Sequence, residues 1–169
     1  MTHMVNRTDV WGRYLGKPKR EGDLSPRNNV ITAPFRDERG KVFLNTASLE
    51  KHYKAAKSSG ILGVHSTSAD LTSRWFGIDI DLHDEQDLSL SPQGNFVAAQ
   101  GWVKVLQEKA FDPLLFDSNG AGGFHILVLF AEPMSTKSVN AFSKQLVADF
   151  VQRGLDTVPE VFPGSPSWN

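Results

Sequence analysis

Apolar and polar positions alternate between two periods along this chain, and the switches between them mark its elements. "VITAPF" (30–35) and "KVFLN" (41–45) flank the turn "RDERG" and predict a short hairpin, with Pro34 confining the first strand to an edge because proline cannot donate to a ladder. "TASLEKHYKAAKSSG" (46–60) predicts a helix capped by Thr46 or Ser48 and stopped at Gly60. "ILGVHST" (61–67) and "SRWFGIDIDL" (73–82) read as two strands of a second hairpin, joined through Ala69 and Asp70. In "GNFVAAQGWVKVLQEKA" (94–110) the apolar residues Phe96, Val97, Trp102, Val103 and Leu106 recur at helical spacing, with Gly101 a slight weakness.

"PLLFD" (113–117), the turn "SNGAGG" (118–123) and "FHILVLF" (124–130) predict a further hairpin. A helix follows over 135–153, capped by Ser135 or Thr136 and ended by Gly154, and "VPEVFP" (158–163) predicts a last short strand. Helices interleaved with antiparallel strands in this order predict an α+β fold, one sheet with helices packed on it.

Composition changes this picture little. The 169 residues are 40% hydrophobic and 22% charged, which suits a single globular domain with a real core. There is no cysteine, so disulfides, thiolate metal sites and catalytic thiols are excluded, and any metal must sit on oxygen or imidazole. No apolar run has the length of a signal peptide or a membrane span, and a cytoplasmic location is the expectation.

Charge is uneven. Residues 1–41 hold nine Lys or Arg against five acids, net +4, and residues 42–169 hold nine against fourteen, net −5. Lys17, Lys19, Arg20 and Arg27, with Trp11 and Tyr14 nearby, form a mixture of cation and aromatic that suits a phosphate backbone and stacked bases, or else a solvated arm.

The strand "RWFGIDIDL" carries two acids two positions apart. Side chains alternate along a strand, so Asp79 and Asp81 point the same way, with Cβ atoms roughly 6 to 7 Å apart, while Ile78 and Ile80 face the other side. Two carboxylates so placed repel and lose hydration unless a cation lies between them, which suits Mg²⁺ or Mn²⁺. Equally, the strand can end near Asp79 and leave both acids in a solvated loop with Asp84, Glu85 and Asp87. His83 stands where a haloacid-dehalogenase-type phosphatase would have Thr or Val, and nucleotide-sugar glycosyltransferases need a larger domain.

The glycine-rich turn before "FHILVLF" is neither a dinucleotide fingerprint nor a P-loop, since His125 stands at a required small position and no Gly-Lys-Ser/Thr follows. Its glycines allow backbone amides close to an anion, Ser118 and Asn119 add side-chain donors, and His125 suits donation to a phosphate oxygen. Alone, His125 also reads as a satisfied histidine within a sheet.

As an ordered set, Asp79-Ile-Asp81, a helix, then Gly123-Phe124-His125 resembles the catalytic core of the archaeo-eukaryotic primase superfamily, the primase-polymerases. The branch it is most similar to is the primase domain of TOTE-type conflict systems and related mobile-element primases. In that branch a third carboxylate lies in a Glu-x-Phe-Pro-Lys pattern, met here by Glu160-Val-Phe162-Pro163, with Gly164 in place of the lysine.

The resemblance spans about 48–163 and implies a core with an RRM-like antiparallel sheet over 46–169, preceded by a basic segment and hairpin over 1–45. It implies Asp79, Asp81 and Glu160 as ligands of Mg²⁺ or Mn²⁺, and His125 on the triphosphate of an incoming nucleotide, aided by Ser118, Asn119, Gly122 and Gly123. It also implies template-directed nucleotidyl transfer on a DNA template and primer, with a helicase domain or protein as a further partner. Such cores continue past the point where this chain stops at Asn169, so the resemblance implies a core incomplete at its C-terminus. A second expectation is a non-catalytic module of the same fold that binds single-stranded nucleic acid; a third is a metal-dependent phosphatase or glycosyltransferase.

Overall fold

The computed structural model describes residues 4–9, 11–14, 30–33, 44–54, 62–81, 91–118, 120 and 122–166. The chain divides into two compact units, Met1–Ala69 and Asp70–Asn169, so the helix expected to open the core at residue 46 belongs with the first. Among the described residues no helix is long and apolar enough to cross a membrane.

In the first unit β1 (Trp11–Tyr14) is the centre of a three-stranded antiparallel sheet, with β2 (Val30–Ala33) on one side and β3 (Leu62–Val64) on the other. α1 (Thr46–Tyr53) is capped by Asn45, whose side chain accepts a 2.9 Å hydrogen bond from the Ser48 amide, so the cap precedes the expected Thr46 or Ser48. Trp11 is buried in its strand, which removes it as a base-stacking surface.

β2 pairs with β1, while its expected partner "KVFLN" lies mostly outside the described residues, as does the basic stretch 15–29. β1 itself went unforeseen, because four residues between charged and glycine-containing flanks carry no resolvable period. β3 forms no hairpin with the strand that follows: it pairs with β1, and the next strand joins the other sheet. Among the described residues the strands form two sheets, where one was expected.

The second unit is built on β4 (Thr72–Ile80), β5 (Leu114–Asp117), β6 (Phe124–Ser135) and β7 (Glu160–Phe162), in the antiparallel order β5-β6-β4-β7. Phe76, Ile78 and Ile80 of β4 enter the core with Ile126 and Val128 of β6 and Val161 of β7. Over them lie α2 (Pro92–Glu108) and α3 (Thr136–Leu146). α2 begins at Ser91, whose hydroxyl accepts from the Gly94 amide at 3.2 Å, with Pro92 in the first turn. Its buried stripe is Asn95, Ala98, Ala99, Trp102 and Leu106, whereas Val97 is exposed.

Gly101 leaves room for the Arg153 guanidinium. A Cβ at that position would come within 2.1 Å of Arg153 Nη1, whose guanidinium stacks 5.2 Å from the Trp102 ring and pairs with Asp149 at 2.7 Å. α3 passes into two 3-10 turns, 147–149 and 151–153, and ends at Gly154 with φ +82, as the glycine stop predicted. Asn140 of α3 donates 2.7 Å to the Pro163 carbonyl and ties the end of β7 to the core.

Candidate active site

The alternation that buries Phe76, Ile78 and Ile80 places Trp75, Gly77 and Asp79 on the opposite face of the sheet. Register then decides their neighbours. Asp79 stands opposite His125 on β6 and opposite Glu160 on β7, and His125 stands opposite Phe116 on β5. Directly opposed residues share a face, with Cβ atoms roughly 4.5–5.5 Å apart. One row across four strands thus reads Phe116, His125, Asp79, Glu160.

Within this row Nε2 of His125 lies 2.9 Å from Oδ1 of Asp79, with the imidazole 46% and the carboxylate 21% exposed. The contact with Asp79 raises the His125 pKa above the ordinary imidazole value; partial burial works against it, and the charges of Asp79 and Asp81 add to the rise. The distance is that of an ion pair, but the ring N–H is not aimed along it: Oδ1 is shielded from water and accepts no well-formed hydrogen bond from the described residues. A shielded carboxylate oxygen left in that state is stabilised by a cation.

Asp81 follows the last residue of β4 and is exposed. Asp79, Asp81 and Glu160 line one cavity of about 60 Å³, with Asp156 and the segment 157–159 completing its wall. The structure thus gathers the three carboxylates expected as metal ligands and adds a fourth. Among the described residues they do not converge into a closed ligand set. The donors are all hard oxygens, the type that Mg²⁺ or Mn²⁺ takes.

The glycine-rich turn lies at the same end of the sheet, because Phe124 pairs with Ile80 and Gly123 therefore sits beside Asp81. Gly122 has φ +102, and a Cβ there would lie 2.9 Å from Pro92 Cα, so only glycine fits. Its carbonyl accepts 2.9 Å from Nδ2 of Asn95, and the Gly123 carbonyl accepts 2.9 Å from the Ser118 amide, closing the hairpin. Ser118 is exposed at the turn; Asn119 lies outside the described residues.

Sequence reasoning passed over Asn95 and Asp156. Asn95 is 2% exposed and welds the turn to the first turn of α2. A polar residue at a core position of an amphipathic helix was the available signal. Asp156, in an irregular segment after Gly154, carries no signal at all.

No family profile matches the sequence, and no curated protein matches it. Among solved structures the fold is similar to that of a polymerase domain. The polymerase domain of Ligase D from Mycobacterium tuberculosis, in complex with DNA, superposes with a TM-score of 0.53 at 12% identity, over 89% of this chain and 57% of that one. This chain therefore spans little more than half the length of that neighbour.

Proposed function

We propose that this chain is a nucleotidyltransferase of the primase-polymerase type, adding nucleotides to a 3'-hydroxyl on a DNA template. The observation that carries the reading is the row His125, Asp79, Glu160 across three adjacent strands, with Asp81 in the same cavity. The shared fold of a polymerase domain seen with DNA supports the same class. Closeness to TOTE-type primases rests on the motif order, above all Glu160-Val-Phe162-Pro163.

Asp79, Asp81 and Glu160 would hold Mg²⁺ or Mn²⁺. Such ions, when bound, neutralise charge on a triphosphate and lower the pKa of an attacking hydroxyl. The chain's own part is positioning. His125, held at the sheet surface against Asp79, would present an N–H donor to phosphate oxygens. Asn95 keeps the glycine turn, with Ser118 at its mouth, beside the carboxylate cavity. Asn119 and the amides of Gly122 and Gly123 are further proposed contacts to the triphosphate, and the basic stretch from Lys17 to Arg27 is the proposed template contact.

The decisive experiment is primer extension with Mn²⁺ by Asp79→Ala. Loss of extension with DNA binding retained is expected; extension that survives would refute the catalytic assignment. A second reading, a module that only binds single strands, is favoured by the absence of a closed ligand set among the described residues. It predicts salt-dependent DNA affinity and no joint binding of Mn²⁺ and nucleoside triphosphate.

A further inference from the structure

Gly77 lies in the middle of the longest-buried stretch of β4, where a glycine weakens a strand and leaves a gap in its side-chain row. Nothing among the described residues demands it. Its backbone is not in the left-handed region, and an added Cβ would meet only ordinary contacts, Trp75 Cζ3 at 3.6 Å, the Ile126 carbonyl oxygen at 3.7 Å and Phe162 Cδ2 at 3.9 Å. A glycine that neither a turn nor packing requires, on the face that carries Asp79 and His125, points to a ligand approaching the backbone.

The gap has a definite shape. Gly77 stands opposite Leu127 on β6 and Phe162 on β7, so the row beside the site reads Leu127, an empty position, Phe162. The result is an open apolar cleft of about 220 Å³, walled by Trp75, Phe116, Leu127 and Phe162, with Asp79 and His125 at its polar end. Phe116 and Phe162 are large apolar side chains left 47% and 37% exposed at its rim.

The lining selects its occupant. Among the described residues it contains no Lys or Arg, which does not suit a polynucleotide backbone. It is also smaller than the roughly 300 Å³ at which pockets for whole drug-sized ligands begin. A flat group tethered to phosphates held at Asp79 and His125 meets both conditions.

We propose, resting on the nucleotidyltransferase reading, that Gly77 is a specificity-determining residue: the cleft it opens seats the base and sugar of the incoming nucleoside triphosphate, with Phe116 as an aromatic rim. The apolar walls read a flat shape and leave the choice of base to the template.

The test compares, at fixed Mn²⁺, equilibrium binding of a nucleoside triphosphate with that of inorganic tripolyphosphate, for the wild type, Gly77→Val and Phe116→Ala. The wild type should prefer the nucleoside triphosphate by about tenfold or more, the order of one base–aromatic stack. Gly77→Val should abolish that preference with tripolyphosphate affinity unchanged, and Phe116→Ala should reduce it with an unaltered thermal melt. If Gly77→Val does not fold, Phe116→Ala decides alone. Preference retained in the variants overturns the cleft assignment, as does equal loss of both ligands from a folded variant. A wild type that binds neither ligand overturns the functional reading and the cleft with it.

Discussion

Asp79 and His125 face one another across the β4–β6 ladder, 2.9 Å from Oδ1 to Nε2, although 45 residues of sequence separate them. Neither needs the other for the fold, since both stand on the face of the sheet away from the core. The pair is therefore a place to alter chemistry without altering structure. Replacing His125 by Ala is expected to lower Mn²⁺-dependent primer extension on the order of 100-fold, the usual cost of one oriented donor to developing charge. Extension assays at graded nucleotide concentrations, with thermal melts as control, check this.

The buried Asn95 should show a stability effect that a surface residue would not. Asn95→Ala leaves the Gly122 carbonyl without its 2.9 Å donor and is expected to cost about 1–3 kcal/mol, read from urea unfolding. Because the same bond holds the turn beside the carboxylate cavity, nucleotide affinity should fall too.

Two glycines, one inside β4 and one in the turn just before β6, should respond in opposite ways to one methyl group. Gly122→Ala meets both a φ of +102 and Pro92 Cα at 2.9 Å, and should destabilise by more than about 1 kcal/mol. Gly77→Ala has room and an ordinary backbone, and should be neutral or stabilising by up to about 1 kcal/mol. Paired chemical denaturation curves give the comparison directly.

Asp149 supplies a pH-dependent contribution. Its burial would raise the carboxyl pKa, but hydrogen bonds from Arg153 and Trp102, with the Arg153 charge, outweigh it and hold the pKa below the ordinary aspartate value. A carboxyl depressed in the folded state stabilises above its unfolded pKa, and that contribution is lost as pH falls through the folded one. Asp149→Asn should therefore lower stability at neutral pH by less than about 1 kcal/mol, the pair being substantially exposed, and converge with wild type in acid. Melting temperatures across an acid series measure the convergence.

The sequence by itself determined the elements whose signals are local. α2, the β5–β6 hairpin, α3 and its stop at Gly154, and the short strand at Glu160 all follow from apolar period, caps and turn glycines, which act over a few residues. It also singled out Asp79, Asp81 and His125, as acids and an imidazole in apolar strands, and Glu160 only through the resemblance carried by Glu160-Val-Phe162-Pro163. What only the tertiary structure decided was pairing. That β3 leaves β4 for β1, and that β7 crosses to β4 so that Glu160 meets Asp79, depends on contacts distant in sequence. Asn95, Asp156 and Gly77 came into view for the same reason: each has its significance from a neighbour on another strand or loop, and side-chain period along one strand carries no record of which strand lies beside it.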